Sequence, residues 1–191
     1  NKNRVCIVFV YMVMLFLFGD LESAEIQGLE DFVSEKVVLR KNVELYTKKN
    51  QEVTITIKRF LREKGEPVIL SHSVILSYSA MEKIGMALWL EGYDVWMPNM
   101  RGHGRGVDKT VITPYFSGDY GFDHIPTVDW PLVVDHIYSV VRRPIQVIGY
   151  SMGGMSWKQY LEGVVQRQGK MSVDLSVAEE RMKKIKKFIS I

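Results

Sequence analysis

Apolar and polar positions divide the chain into alternating and continuous segments. Three alternating segments are rich in β-branched residues and are separated by the polar pairs at residues 41–42 and 49–50. This pattern is typical of edge strands or hairpins. The predicted strands are residues 36–40, 43–48 and 53–60. Continuous apolar runs indicate strands buried on both faces of a sheet. Such runs occur at residues 67–72, Tyr93–Pro98 and residues 145–148.

Apolar residues at helical spacing lie between the continuous runs. Residues 78–91 are predicted to form a helix, and Gly92 suits the position just past its end. Asp129 is predicted to cap a second helix. A third helix is expected over residues 152–168, with Gly169 ending it.

The alternation of strands and helices predicts the fold class. Parallel strands joined by helices form right-handed crossovers, which cover both faces of the sheet. We therefore expect an α/β protein, a three-layer α/β/α sandwich with a mostly parallel central sheet. The glycine-rich residues 101–121 are expected to form a long surface loop.

The C-terminal residues allow two interpretations. Residues 176–179 have the form of a capping box, and apolar residues continue at helical spacing to Ile189. One interpretation is a basic amphipathic helix that lies on a membrane or a partner. The preferred one is a helix that ends near Lys187, followed by a buried strand from Phe188, because the α/β alternation requires a strand there. The sheet is then expected to be incomplete at its C-terminal side.

The N-terminus has the order of a secretory signal peptide. Residues 1–4 are basic, residues 5–19 carry no charge, and the small residues Ser23 and Ala24 lie near the expected cleavage site, where Glu22 departs from the preferred small residue. The uncharged run spans about 22 Å as a helix, which is short of the roughly 30 Å hydrocarbon core of a bilayer. We expect residues 1–24 to be a signal peptide of a secreted or periplasmic protein, with a membrane anchor as the alternative. Residues 25–191 are expected to form a partial domain.

Composition excludes several classes of site. A net charge of +3 is too small to indicate nucleic-acid binding. Cys6 is the only cysteine and lies in the predicted signal peptide, so the mature chain is expected to have no disulfide and no cysteine nucleophile. No two histidines have the i, i+4 spacing of a helical metal site. The tryptophans are expected in the core or at its rim, and neither a metal nor a cofactor is implied. They are Trp89, Trp96, Trp130 and Trp157.

The most informative motif is the run from Gly149 to Gly153, which follows the predicted strand at residues 145–148. It has the Gly-x-Ser-x-Gly form of a nucleophile elbow, in which a buried strand turns sharply into a helix with a serine at the apex. Ser151 would occupy a strained backbone conformation, and the flanking glycines would avoid steric clashes. The motif predicts Ser151 as a nucleophile and the Met152 N–H, at the start of the helix, as a donor to an oxyanion.

Four segments, taken in order, resemble the N-terminal half of an α/β-hydrolase and are closest to the acid-lipase group. PVILSH (67–72) resembles the third strand and its His-Gly element, and EGYDVWMPNMRGHG (91–104) resembles the next strand and its Arg-Gly turn. YGFD (120–123), followed by DWP (129–131), resembles the segment before the fifth strand. The elbow at residues 149–154 is the fourth match.

The resemblance, which covers roughly residues 65–165, implies a serine hydrolase that acts on lipid or other acyl esters and contacts a membrane surface. It also implies the Val74 N–H as the second oxyanion donor. Ser73 stands where the family has glycine, and a serine there is expected to resist the backbone angles that aim the next N–H. The family supplies its catalytic acid and histidine after later strands, so both are expected beyond Ile191.

Two functional hypotheses remain open. The first is a secreted serine esterase with its acid and histidine downstream, and the second is a truncated, non-catalytic relative or binding module. The resemblance implies bracing roles for His72 and His103, while His124 is expected in a loop and His136 on a helix. Because a serine hydroxyl needs an oriented base, none of these four histidines is expected to activate Ser151.

Overall fold

The computed structural model describes residues 31–44, 50–74, 76–103, 121–167 and 170–191. The strands within these residues are β1 (Val33–Glu44), β2 (Asn50–Leu61), β3 (Glu66–Ser71), β4 (Tyr93–Pro98), β5 (Ile145–Gly149), β6 (Val164–Arg167), β7 (Lys170–Val173) and β8 (Ile185–Ser190). The α-helices are α1 (Glu82–Leu90), α2 (Trp130–Val141), α3 (Met152–Leu161) and α4 (Leu175–Lys184). A 3₁₀ turn (Tyr78–Met81) precedes α1, and a π-helical turn (Ile125–Asp129) precedes α2.

Six strands form one mixed sheet in the order β1-β2-β4-β3-β5-β8. β3 pairs in parallel with β4 and β5, and β5 pairs in parallel with β8. β1 and β2 form an antiparallel hairpin, and β2 joins β4 antiparallel. β6 and β7 form a separate two-stranded hairpin. The predicted mostly parallel sheet is therefore confirmed, with an antiparallel hairpin at one edge.

Helices cover both faces of the sheet, as predicted for a three-layer sandwich. In β3, Val68 and Leu70 pack in the core that includes α1, whereas Ile69 packs in the opposite core with α2 and α3. Burial on both faces explains why the central strands have continuous apolar sequences. All four tryptophans lie in these two cores, as expected.

The central elements match their predictions closely. The predicted strands at residues 67–72 and 145–148 are β3 and β5, each shifted by about one residue at an end, and β4 has its predicted bounds. The first predicted helix is the 3₁₀ turn followed by α1. Gly92 follows that helix with a φ of 91°, as its position suggested.

The N-terminal strands differ from the prediction. Residues 36–40 and the start of the segment at 43–48 form one strand, β1, while residues 45–49 lie outside the described residues. Lys41 and Asn42 do not interrupt this strand, because they pair with Val53 and Glu52 of β2. Both side chains are exposed, and a hairpin position that faces water accommodates polar residues without breaking the backbone ladder.

Asp129 does not cap a helix, contrary to the prediction. Its φ of −72° and ψ of −50° are helical, and its side chain makes no capping hydrogen bond. The carboxylate instead pairs with the buried Arg101 guanidinium, so it is directed into the protein rather than toward the helix end.

The π-helical turn begins just after His124, so His124 also lies at a helix entry rather than in a loop.

The third predicted helix is shorter than expected. It ends at Leu161, and Gly163, with a φ of 77°, follows it. Val164 and Val165 then begin β6, consistent with the preference of β-branched residues for strands. The predicted terminator Gly169 lies outside the described residues.

The C-terminal segment follows the preferred interpretation in its order, a helix and then a strand, but the strand begins three residues earlier than predicted and is half-buried or exposed along its length rather than buried. Asp174 caps α4 by accepting the N–H groups of Ser176 and Val177, so the cap lies before the predicted box. The helix ends at Lys184, and β8 pairs with β5. A continuous amphipathic helix to Ile189 is therefore wrong.

Two predictions fall wholly or mostly outside the described residues. The proposed signal peptide at residues 1–24 is one, and most of the loop at residues 101–121 is the other. At the start of that loop, Arg101 and His103 are buried rather than on the surface. Among the helices that the structure describes, none is both long and apolar enough to cross a bilayer.

Replacing Gly163 by alanine is expected to destabilise the fold. A Cβ at this position would lie 2.3 Å from the Asp174 carbonyl oxygen. The left-handed backbone alone costs an L-residue about 1–2 kcal/mol, so we expect Gly163→Ala to lower the free energy of unfolding by more than about 2 kcal/mol. Gly92→Ala is the matched control, because Gly92 also has positive φ but nothing lies within 4 Å of its Cβ position. Equal losses for the two variants in urea denaturation would contradict the steric argument.

Candidate active site

Ser151 lies at the sharp turn between β5 and α3. β5 ends at Gly149, α3 begins at Met152, and Ser151 has a φ of 51° and a ψ of −116°. This conformation is sparsely populated for a residue with a Cβ. The residue is exposed, in contrast to the buried residues that follow it. The predicted strained elbow is therefore confirmed.

Three glycines allow the turn to be this tight. A Cβ on Gly149 would lie 2.7 Å from the Gly154 Cα, and one on Gly153 would lie 2.7 Å from the His72 carbonyl oxygen. A Cβ on Gly154 would lie 2.3 Å from the Ser190 Oγ. The absence of side chains at these positions brings the first turn of α3 against both strands that flank β5.

Backbone hydrogen bonds from both neighbouring strands hold the elbow. The Tyr150 N–H donates to the Ser71 carbonyl oxygen over 3.0 Å. The Ser151 N–H donates to the Ile191 carbonyl oxygen over 2.8 Å, and the Ile191 N–H donates to the Gly149 carbonyl oxygen over 2.9 Å. These bonds help the surrounding structure to sustain the unfavourable angles of Ser151.

Tryptophan contacts fix the helix that follows Ser151. The Trp157 and Trp130 rings stack with centroids 4.5 Å apart, which joins α3 to α2. Trp157 Nε1 donates to the Ser71 Oγ over 3.0 Å, and Trp130 Nε1 donates to the Ser156 Oγ over 2.9 Å. Both indole N–H groups are thus satisfied inside the core, and α3 is tied to the end of β3.

The two predicted oxyanion residues lie on either side of this turn. Met152 is the first residue of α3, and its side chain is buried. Val74 is exposed, in the loop that leaves β3. Because Ser71 pairs with Gly149, the loops that carry Val74 and Ser151 leave the same edge of the sheet. Ser73 is buried and is not among the described residues with positive φ, so a serine causes no left-handed strain there.

His72 and His103 brace the loops at this edge, as the resemblance implied. The Met100 N–H donates to the His72 Nε2 over 3.0 Å, and the His72 Nδ1 lies 2.7 Å from the Ser73 carbonyl oxygen. The His103 Nδ1 lies 2.9 Å from the Arg101 carbonyl oxygen, and its Nε2 contacts the Val74 carbonyl oxygen. Both rings therefore connect the loop after β3 to the loop after β4.

The other two histidines have structural surroundings as well. The His124 ring is fully buried, and its Nδ1 accepts the Gly121 N–H over 3.2 Å. His136 lies on α2 with its ring edge-on to the Trp96 ring, at a centroid distance of 6.1 Å. Burial lowers the pKa of both rings, and a nearby arginine lowers each further.

The buried pair of Arg101 and Asp129 was missed by sequence reasoning. The Arg101 Nε lies 3.1 Å from the Asp129 Oδ1, and both side chains are almost completely buried. Burial raises the pKa of the Asp129 carboxyl, and the Arg101 charge acts against that increase. The pair fastens the loop that carries His103 to the start of α2. The only sequence signal for it was the arginine in the Arg-Gly turn, which does not identify a partner.

Protonation of His72 is expected to make the fold less stable in acid. Burial, and secondarily the nearby His103, lowers the pKa of His72 from 6.5 to about 4. Between these pH values the unfolded chain binds a proton that the native chain does not, so stability falls as the pH falls. The loss attributable to His72 between pH 7 and pH 4 is about 3 kcal/mol. Chemical denaturation across this range should show a steeper loss for the wild type than for His72→Asn; parallel curves would contradict the assignment.

Within the described residues, no three His, Cys, Asp or Glu side chains cluster in a way that could hold a metal ion. The edge of the sheet that carries Ser151 presents an exposed serine hydroxyl and the backbone N–H groups at the start of α3. An exposed serine on a strained turn, beside a helix N-terminus, suits nucleophilic attack on a carbonyl group.

Comparison with known proteins agrees with this geometry. No family model matches the chain. Over 98 residues it is 26% identical to triacylglycerol lipase 2 of Arabidopsis thaliana, a match that covers 47% of this chain and 23% of that lipase. A probable lipase of Schizosaccharomyces pombe is 29% identical over 100 residues, which cover 47% of this chain and 22% of the relative. The chain thus spans about a quarter of the length of the lipases it matches.

The fold is similar to that of a solved plant enzyme. The structure of the epoxide hydrolase VrEH1 from Vigna radiata matches with a TM-score of 0.51 and 16% sequence identity, covering 80% of this chain and 39% of that one. This likeness concerns the fold alone. Together with the strained serine at the elbow and the similarity to two lipases, it points to the α/β-hydrolase superfamily.

Proposed function

We propose that this chain carries the nucleophile and the oxyanion donors of a serine hydrolase that cleaves carboxylic esters. The observation that carries the proposal is the backbone of Ser151, with a φ of 51° and a ψ of −116° at an exposed strand-to-helix turn. Such strain costs on the order of 1–3 kcal/mol and is concentrated at functional sites. Lipid or other acyl esters are the proposed substrates, and the similarity to two lipases supports this choice.

The proposed reaction proceeds through an acyl-serine. The Ser151 Oγ attacks the ester carbonyl carbon and gives its proton to a base, and the alcohol leaves with that proton when the C–O bond breaks. Water then hydrolyses the acyl-serine and restores the hydroxyl. The N–H groups of Met152 and Val74 are assigned to the negative charge on the carbonyl oxygen. A single donor of this kind is worth about 10²–10³ in rate.

None of the four histidines in these 191 residues is assigned as the general base. His72 and His103 already bind backbone groups through both ring nitrogens. His124 is fully buried, and His136 packs against Trp96 in the core beneath the sheet. The resemblance to acid lipases supports a downstream histidine and acid.

Export through residues 1–24 is a separate proposal, which N-terminal sequencing of the native protein tests.

Substrate class can be tested directly on the protein expressed from its complete reading frame. We expect hydrolysis of p-nitrophenyl butyrate and p-nitrophenyl decanoate and no ring opening of styrene oxide. Saturable binding of these esters without turnover would instead support the non-catalytic binding module. Turnover of the epoxide in place of the esters would contradict the proposed ester chemistry.

A further inference from the structure

An open groove lies between the β6–β7 hairpin and the helix that follows Ser151, and no step of the proposed reaction uses it. Its volume is about 390 Å³. This value falls within the range of roughly 300–1,000 Å³ that is typical of small-molecule sites. Most of the residues that line the groove are apolar, namely Phe122, Val164, Met171 and Val173. The groove therefore suits a ligand with an apolar part.

The hairpin turns one apolar face toward the groove. Val164 lies opposite Val173 in the register of β6 and β7. Met171 precedes Val173 by two residues and lies on the same face, because side chains alternate along a strand. Met171 and Val173 are both exposed. Exposed apolar side chains that border a groove indicate a binding site, and the flexible methionine side chain adapts to ligands of different shape.

Hydrogen bonds from α4 hold the base of the hairpin beside α3. The Arg181 Nη1 donates to the Tyr160 carbonyl oxygen over 2.8 Å and to the Val164 carbonyl oxygen over 2.9 Å. The Asp174 N–H donates to the Gly163 carbonyl oxygen over 2.9 Å. Both ends of the hairpin are thus tied to helices, so the groove is built into the fold.

The groove and Ser151 lie along the same side of α3. Met155 and Gln159 follow Ser151 by four and eight residues, and residues at this spacing share one side of a helix. Gln159 lines the groove, and the exposed Met155 lies midway between Gln159 and Ser151. Eight residues of helix rise about 12 Å. An extended decanoyl chain spans a similar distance.

We propose that this groove is the subsite for the acyl chain of the ester, with Met155 along the path from Ser151. The inference rests on the proposed function and adds a preference for medium-length acyl groups. The acyl group, rather than the alcohol, is assigned to the groove because it stays attached to the Ser151 Oγ in the acyl-serine. An apolar surface that begins at Ser151 stabilises the chain through both halves of the reaction.

The preference for acyl length tests the subsite. Met171→Asp places a carboxylate in the groove, and each methylene that loses its apolar contact costs about fourfold in binding. We expect the kcat/KM for p-nitrophenyl decanoate, divided by that for p-nitrophenyl butyrate, to fall at least about tenfold. Both esters are measured on the same sample, so this ratio does not depend on the folded fraction.

Leu175→Asp is the matched control for this substitution. Leu175 is an exposed apolar residue close to Met171 in the chain, but it is not among the residues that line the groove. The same charge there should leave the ratio within about twofold of the wild type. An unchanged ratio in Met171→Asp, or an equal fall in both variants, would overturn the proposal.

A binding measurement does not depend on activity. In protein labelled with [methyl-¹³C]methionine, 1-octanol should shift the methyl resonances of Met155 and Met171 saturably. Met182 is the internal control, because it is exposed on α4 and does not line the groove. No shift at Met171, or an equal shift at Met182, would overturn the proposal. If Met171 shifts selectively in a protein that hydrolyses no ester, the proposed function fails while the groove remains an alkyl-binding site.

Discussion

Replacing Ser151 by alanine is expected to lower kcat for ester hydrolysis by about 10⁴-fold or more, since the loss of a nucleophile in related chemistry has effects of this size. The substitution removes the Oγ that forms the acyl-serine. The residual rate would come from binding and from the oxyanion donors alone. KM should change little, because the side chain is small and exposed and the rest of the site is retained. Initial rates with p-nitrophenyl esters measure the effect in the protein expressed from its complete reading frame.

Ser139→Ala is the matched control for this experiment. Ser139 is an exposed serine on α2 whose Oγ donates to the His136 carbonyl oxygen, and it lies on no element of the proposed site. Its substitution should leave kcat within about twofold, as expected for a surface change that costs less than 0.5 kcal/mol. If Ser151→Ala and Ser139→Ala retain the same activity, Ser151 is not the nucleophile.

Breaking the buried pair of Arg101 and Asp129 is expected to have the largest effect on stability. Asp129→Ala leaves the Arg101 guanidinium buried without its carboxylate, and loss of one partner of a buried pair typically costs about 3–5 kcal/mol. A loss of this size is a large fraction of the stability of an ordinary domain. Guanidinium denaturation followed by tryptophan fluorescence measures it, since all four tryptophans are in the core.

Two controls distinguish the buried charge from the loss of a contact. Asp135→Ala removes the partner of Lys184 at a mostly exposed ion pair, and such pairs contribute at most about 1 kcal/mol. The double variant Arg101→Met with Asp129→Leu removes both charges and should recover most of the stability that Asp129→Ala loses. A double variant as unstable as Asp129→Ala would show that packing, rather than the uncompensated charge, causes the loss.

The elements that position Ser151 could be predicted because their signals are local. β3, β4 and β5 are continuous apolar runs, as strands buried on both faces must be. Gly149 and Gly153 lie within two residues of Ser151, and the tight turn at Ser151 leaves no room for a Cβ at either position. Short-range constraints of this kind are visible in the sequence without knowledge of the fold.

The interactions that sequence reasoning missed depend on distant partners. Asp129 precedes a helix and has a side chain suited to capping, but Arg101, 28 residues away, takes its carboxylate. Likewise, the His72 and His103 contacts depend on two loops that meet only after the sheet forms. The end of the third predicted helix is instead the hairpin of β6 and β7. Gly163 adopts positive φ, which a continuing α-helix does not allow, although the spacing of apolar residues in the sequence still indicated a helix there.

Covalent labelling of the protein expressed from its complete reading frame tests the central claim most directly. Treatment with an alkyl fluorophosphonate, followed by proteolysis and tandem mass spectrometry, shows which side chain reacts. We predict one phosphonyl group per chain, attached to Ser151, with no adduct in Ser151→Ala or after denaturation. An adduct on another residue, or an unmodified Ser151 in protein that hydrolyses esters, would contradict the assignment of Ser151 as the nucleophile.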